Sequence, residues 1–129
     1  MEQLTHLHLT LNAKVKNAKD IPKERAQSFV DDLLEAAHMK ALGPLIWSDA
    51  ADLDFPGQSF VQMITTSHCS LHLFSDTNEI YFDLYSCKDF DPKKVINLID
   101  SYFGLDQYHG MLYKRGNDKK AEISKFGRW

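Results

Sequence analysis

Val61-Gln62-Met63-Ile64-Thr65-Thr66-Ser67-His68-Cys69-Ser70-Leu71-His72-Leu73-Phe74 runs into Ser75-Asp76-Thr77-Asn78 and then into Glu79-Ile80-Tyr81-Phe82-Asp83-Leu84-Tyr85-Ser86-Cys87. This stretch sets the pairing of the central strands. Val61 to Thr66 is β-branched and apolar, and Ser67 to Phe74 continues as a second extended run. Ser75 to Asn78 is a turn signal, and Glu79 to Cys87 alternates as a third strand. Tight hairpins between such runs demand antiparallel pairing. Side chains at even spacing share a strand face, so His68, Ser70 and His72 face one way and Ser67 the other. The hairpin is expected to bring Cys87, twenty residues after Ser67, back beside Ser67 and the two histidines.

The flanks complete a layered domain. Leu7, Leu9 and Leu11 alternate with His6, His8 and Thr10, which marks Leu4 to Val15 as a half-buried strand. Asp20-Ile21-Pro22 opens a helix, with Asp20 or Ile21 as the cap and the proline first inside. Ala26, Phe29, Val30, Leu33, Leu34 and Ala37 recur at helical spacing through about Ala41, and Gly43 is the expected stop. Pro44 to Trp47 is a short strand candidate, followed by an acidic loop from Ser48 to Gly57. Asp91-Pro92 caps a second helix with Val95, Ile96, Leu98, Ile99, Tyr102 and Phe103 on its apolar side and Gly104 at its end. Gln107 to Lys114 reads as the last strand. The order β-α-β-β-β-β-α-β implies an α/β two-layer sandwich, a mainly antiparallel sheet with two helices on one face. Residues 1–115 make one domain, and 116–129 read as a polar, basic tail, mobile apart from its aromatic residues.

Composition excludes several classes. The 129 residues are 43% hydrophobic and 26% charged, the mixture of one soluble globular domain. A formal net charge of −3 speaks against nucleic-acid binding. The segment from Lys114 to Trp129 carries six basic and two acidic residues and reads as a solvated end. No stretch reaches the length of a membrane span, and the N-terminus lacks the basic start and apolar core of a signal peptide. The expectation is therefore a cytoplasmic protein without a membrane partner, whose two cysteines, Cys69 and Cys87, are thiols. A zinc site from His6, His8, His68, His72 and Cys69 lacks any paired-ligand signature, so no metal is expected.

Ile64-Thr65-Thr66-Ser67-His68-x-x-x-His72, with Tyr81 to Cys87 behind it, resembles the small prokaryotic S-adenosylmethionine decarboxylases. Their pattern reads roughly S-E-S-H-x-x-I-H-T-W-P-E, then an A-x-D-x-F-x-C strand and a capped helix. The likeness covers about Phe55 to Gly104, and the first strand and helix only in layout. It implies a self-processing enzyme. Ser67 would attack the carbonyl of Thr66, the peptide would shift to an ester, and β-elimination would open the chain between Thr66 and Ser67. Ser67 would become a pyruvoyl group heading a fragment of 63 residues. The resemblance gives His72 the proton transfer in that elimination. Ser59, eight residues before Ser67, would support it, and Cys87 would be the proton donor after decarboxylation.

The chemistry has its own logic. Loss of carbon dioxide from an amino acid leaves a carbanion that needs an electron sink. A ketone supplies one through a Schiff base to the substrate amine, and a chain of standard residues must make that ketone itself. Serine can attack as an alcohol and also lose its α-proton. A thiol is mostly protonated near neutrality and can return a proton. Substrate binding departs from the family pattern, whose W-P-E is Phe74-Ser75-Asp76 here. Phe55 and Phe74 are candidates to sandwich an adenine or face a sulfonium, and Asp76 to accept from ribose hydroxyls. The family's acid in the first strand has no counterpart at His8, Thr10 or Asn12. The resemblance thus implies decarboxylation of S-adenosylmethionine for polyamine synthesis, with ornithine or arginine as alternative substrates and a non-processing regulatory subunit as a third reading. It also implies a homodimer with sites near the interface. Cys69 is expected to be a small buried residue, and His68 to pack or orient backbone.

Overall fold

The computed structural model describes residues 5–18, 21–50, 54–117 and 122–128. In chain order the elements are β1 (His6–Val15), α1 (Lys23–Ala36), β2 (Ile46–Asp49), β3 (Gly57–Ile64), β4 (Ser67–Phe74), β5 (Glu79–Ser86), α2 (Pro92–Phe103), β6 (Leu105–Arg115) and β7 (Glu122–Arg128). The strands form one sheet in the order β2-β3-β4-β5-β1-β6-β7, with every neighbouring pair antiparallel. β1 and β2 therefore run the same way, joined across the sheet by α1. β5 and β6 also run the same way, joined over β1 by α2. The two crossovers head in opposite directions from oppositely directed strands, so right-handedness places both helices on one face. The expected two-layer α/β sandwich is what forms.

That face holds the core. Leu7, Leu9 and Leu11 of β1, Cys69, Leu71 and Leu73 of β4, and Ile80, Phe82 and Leu84 of β5 alternate inward and are buried. They meet Phe29 and Leu33 of α1 and Val95, Ile99 and Phe103 of α2. Phe29 is the hub, with ring centroids 5.9, 6.1 and 5.8 Å from Phe60, Phe82 and Phe103. Each such aliphatic or aromatic side chain contributes about 1.5–3 kcal/mol by leaving water. Among the described residues no layer covers the opposite face. It carries His68, Ser70, His72 and Phe74 from β4, with Ile46 65%, Met63 51% and Ile123 55% exposed.

Several boundaries differ from expectation. α1 ends at Ala36, short of Ala41, because His38 turns left-handed (φ 54°) and sends Met39 back into the core. The chain then braces the β3–β4 hairpin, where Leu42 N–H donates to the Met63 carbonyl and Thr65 N–H to that of Lys40. Pro22 is the N-cap of α1 rather than its first residue, and Asp20 lies outside the described residues. α2 starts and stops as expected: Asp91 accepts from the Lys93 N–H, and Gly104 is left-handed at φ 69°. β2 falls two residues later than expected, taking Ser48 and Asp49 from the acidic loop. The segment read as a mobile tail supplies β7. Its Phe126 ring lies on Gly110, where a Cβ would sit 2.3 Å from the ring, and Arg128 donates to the carbonyls of Leu105 and Asp106. Among the described residues no helix is long and apolar enough to cross a membrane.

Candidate active site

Ser67 is the first residue of β4, directly after a two-residue hairpin turn that begins beyond Ile64. Such turns need left-handed backbone, which Gly or Asn usually supplies. Here Thr66 supplies it, at φ 59°. A β-branched residue is disfavoured there, and strain of about 1–3 kcal/mol is typical of such positions. The strained residue carries the carbonyl that Ser67 would attack.

Ser67 is 6% exposed, and its Oγ accepts the backbone N–H of Cys87 at 3.3 Å. β5 ends at Ser86 beside β4, so Cys87 follows at the same end of the sheet. The Thr66 hydroxyl donates to the Thr65 carbonyl at 2.6 Å, and its oxygen lies 2.6 Å from the Cys87 sulfur. The Ser67 hydroxyl, the Cys87 thiol and the Thr66 residue are therefore in one place. An N–H aimed at the serine oxygen favours negative charge developing on it.

The other candidates lie elsewhere. Ser59 Oγ and His72 Nδ1 are 2.7 Å apart on facing positions of β3 and β4. His72 is five residues along the strand from Ser67 and on the opposite face, roughly 17 Å away at about 3.4 Å per residue. Phe74 ends the same strand and packs edge-on against Tyr81 at 5.6 Å. Phe55 is 77% exposed, and Asp76 is exposed in the β4–β5 turn. Within one chain Ser67, Thr66 and Cys87 gather at one end of β4, while Ser59, His72, Phe55, Phe74 and Asp76 gather towards the other. The hairpin returns Cys87 to Ser67 but leaves His72 distant.

The strand alternation also separates the two kinds of candidate metal ligand. Cys69 points into the core, where burial pushes its thiol up to about 12, and the histidines point away.

Sequence reasoning missed a polar cluster on the open face. His68, Tyr85, His8 and Tyr113 stand side by side across β4, β5, β1 and β6. His6 Nδ1 is 2.7 Å from the Tyr85 hydroxyl, and the Arg115 guanidinium lies 5.1 Å over the Tyr85 ring. Among the described residues the buried His8 Nε2 finds no hydrogen-bond partner, and Asp83 lies 3.8 Å away. Burial lowers the His8 pKa, Asp83 opposes the shift, and Arg115 and His68 add to it. The alternation of His6, His8 and Thr10 placed this row on one face, but its neighbours came from strands whose order the sequence did not give.

The sequence profile of the S-adenosylmethionine decarboxylase family matches residues 7–116. The chain belongs to the S-adenosylmethionine decarboxylase family. The crystal structure of the adenosylmethionine decarboxylase from Aquifex aeolicus VF5 superposes with a TM-score of 0.72 over 92% of this chain and 97% of that one. The two are 15% identical, so the likeness establishes the shared fold. Family membership makes the chain decarboxylase-type, with a small molecule as the family's substrate. The matched segment spans β1 to β6 and stops before β7.

Proposed function

We propose that this protein is a self-processing decarboxylase that converts Ser67 into a pyruvoyl group and acts on S-adenosylmethionine, supplying the decarboxylated aminopropyl donor for polyamine synthesis. The observation that carries the reading is the hairpin tip. There a strained Thr66 precedes Ser67, the Ser67 oxygen receives the Cys87 N–H, and the Cys87 thiol stands alongside. These residues fit a pyruvoyl group, because a ketone at position 67 would lie beside an N–H donor and a thiol.

In the precursor, Ser67 Oγ attacks the Thr66 carbonyl carbon, its proton passes to the Ser67 nitrogen, and the C–N bond breaks to leave an ester; the Cys87 N–H favours the deprotonated oxygen before attack. Strain at Thr66 raises the energy of the intact peptide, so it favours the shift. His72, oriented by Ser59, takes the α-proton of residue 67 as the Thr66 carboxylate leaves Cβ, and water hydrolyses the resulting dehydroalanine, through its imine, to the ketone with loss of ammonia. The ketone supplies an electron sink when the carboxylate departs. Cys87 then returns a proton to the substrate carbon and regains one from water.

His72 cannot reach its own Ser67 across roughly 17 Å of strand. We propose that a second copy supplies it. Two chains stacked open face to open face and running in opposite directions set the His72 end of one against the β3–β4 hairpin tip of the other, where the exposed Thr66 precedes Ser67. The exposed Ile46, Met63 and Ile123 on that face support such a homodimer.

A second reading keeps the pyruvoyl and changes the substrate to ornithine or arginine. It is favoured by the altered Phe74-Ser75-Asp76 and by the lack of an acid at His8, Thr10 and Asn12. A third is a non-processing regulatory subunit. Intact mass decides first. The protein is expected as two fragments parted after Thr66, and Ser67→Ala as one species near 14.8 kDa. An unbroken parent chain after long incubation overturns self-processing. Carbon dioxide release is then expected from S-adenosylmethionine. Release from ornithine or arginine alone would establish the second reading.

A further inference from the structure

We infer that the Thr66 side chain, and not only its carbonyl, serves the reaction: its hydroxyl is a positioning residue that holds the Cys87 thiol as S–H and fixes the direction of its proton. The inference rests on the proposed role of Cys87 as proton donor and adds a partner to it.

Proton counting carries the argument. A threonine hydroxyl has one hydrogen and two lone pairs. The Thr66 hydrogen is committed to the Thr65 carbonyl at 2.6 Å, since a carbonyl can only accept. Towards Cys87 Sγ, also 2.6 Å away, Thr66 Oγ1 therefore has only a lone pair to offer. The thiol must be the donor, giving a directed chain S–H to O–H to C=O. Each bond in such a chain polarises the next. Its far end is anchored, because Thr65 N–H donates to the Lys40 carbonyl and the neighbouring Leu42 N–H to Met63.

The left-handed backbone at Thr66 belongs to the same arrangement. A β-branched residue adopts φ 59° at a cost. Glycine would form this turn without strain but has no hydroxyl. Thr65 and Thr66 both lie on the acyl side of the proposed cut, so the hydroxyl and its carbonyl acceptor remain on one fragment. The thiol keeps its proton against this weak acceptor and yields it to the much stronger base at the carbon the carboxylate has left. The proton moves from Sγ to carbon, and the thiolate is reprotonated by water.

The decisive test uses chains that cannot process. In a Ser67→Ala background, Cys87 alkylation by iodoacetamide at pH 7 is followed by peptide mass, with buried Cys69 as an internal report on folding. Thr66→Val preserves shape and removes the acceptor, and alkylation is expected to quicken about fivefold, the scale of one lost hydrogen bond. Thr66→Ser should restore the parent rate. Thr66→Ala gives the same reading as Thr66→Val if the latter exposes Cys69. Equal rates in the parent, Val and Ala chains overturn the inference. An unprocessed parent chain would overturn the proposed function instead, and this assay would still read the thiol.

Discussion

On the proposed function, the two ends of β4 carry different halves of one chemistry. At the Ser67 end a hydroxyl, a thiol and a strained carbonyl are packed together, with Ser67 itself 6% exposed. At the other end the Ser59–His72 pair and the aromatic residues lie open to solvent on the uncovered face. The first end has its reactants and lacks a base; the second has a base and no reactant. A rigid strand cannot fold back on itself to join them, and this is why the proposed function needs a second chain.

Mixing experiments offer the sharpest way to break this comparison. Ser67→Ala chains and His72→Ala chains should each stay whole alone. Refolded together, the His72→Ala chain should be cut and the Ser67→Ala chain should not. Cleavage of isolated His72→Ala would show that another base serves, and no cleavage in the mixture would refute donation between copies. A smaller effect should strike both ends alike. Phe29 sits beneath the middle of the sheet, and Phe29→Ala should cost about 3–5 kcal/mol in urea unfolding. Loss of less than about 1 kcal/mol would mean that the core does not tie the ends together.

The smallest expected effect concerns pH. His8 is held below its ordinary value of 6.5 chiefly by burial. Below that value the unfolded chain binds the proton more readily than the folded one. The stability contribution is therefore complete above about 6.5 and declines as the pH falls. Urea unfolding at pH 7 and pH 5.5 should show a smaller acid loss for His8→Gln than for the parent, and equal losses would remove His8 from the account.

Much of this architecture was legible in the sequence. The leucine alternation of β1, the two central hairpins and the Asp91-Pro92 cap each follow from a local rule. The family itself was legible too, in the stretch that its profile covers. What escaped depended on contacts far apart in the chain. β7 is polar, and only the glycine beneath Phe126 marks its docking place. α1 stops early because the chain must return to brace a hairpin. The distance between Ser67 and His72 could be counted along the strand, but the eye groups residues by motif rather than by length. The Thr66 hydroxyl was invisible because its partner is twenty-one residues away.

The sheet order has a final consequence for a chain severed after Thr66. The piece ending at Thr66 contributes β1, β2 and β3, and the piece beginning at residue 67 contributes β4 to β7. Because β1 lies between β5 and β6, and β3 lies against β4, the pieces are interlaced. Pulling them apart would tear three complete ladders at once. Scission therefore changes the covalent map and not the body: the nicked molecule should travel as one particle in native buffer and part only in denaturant.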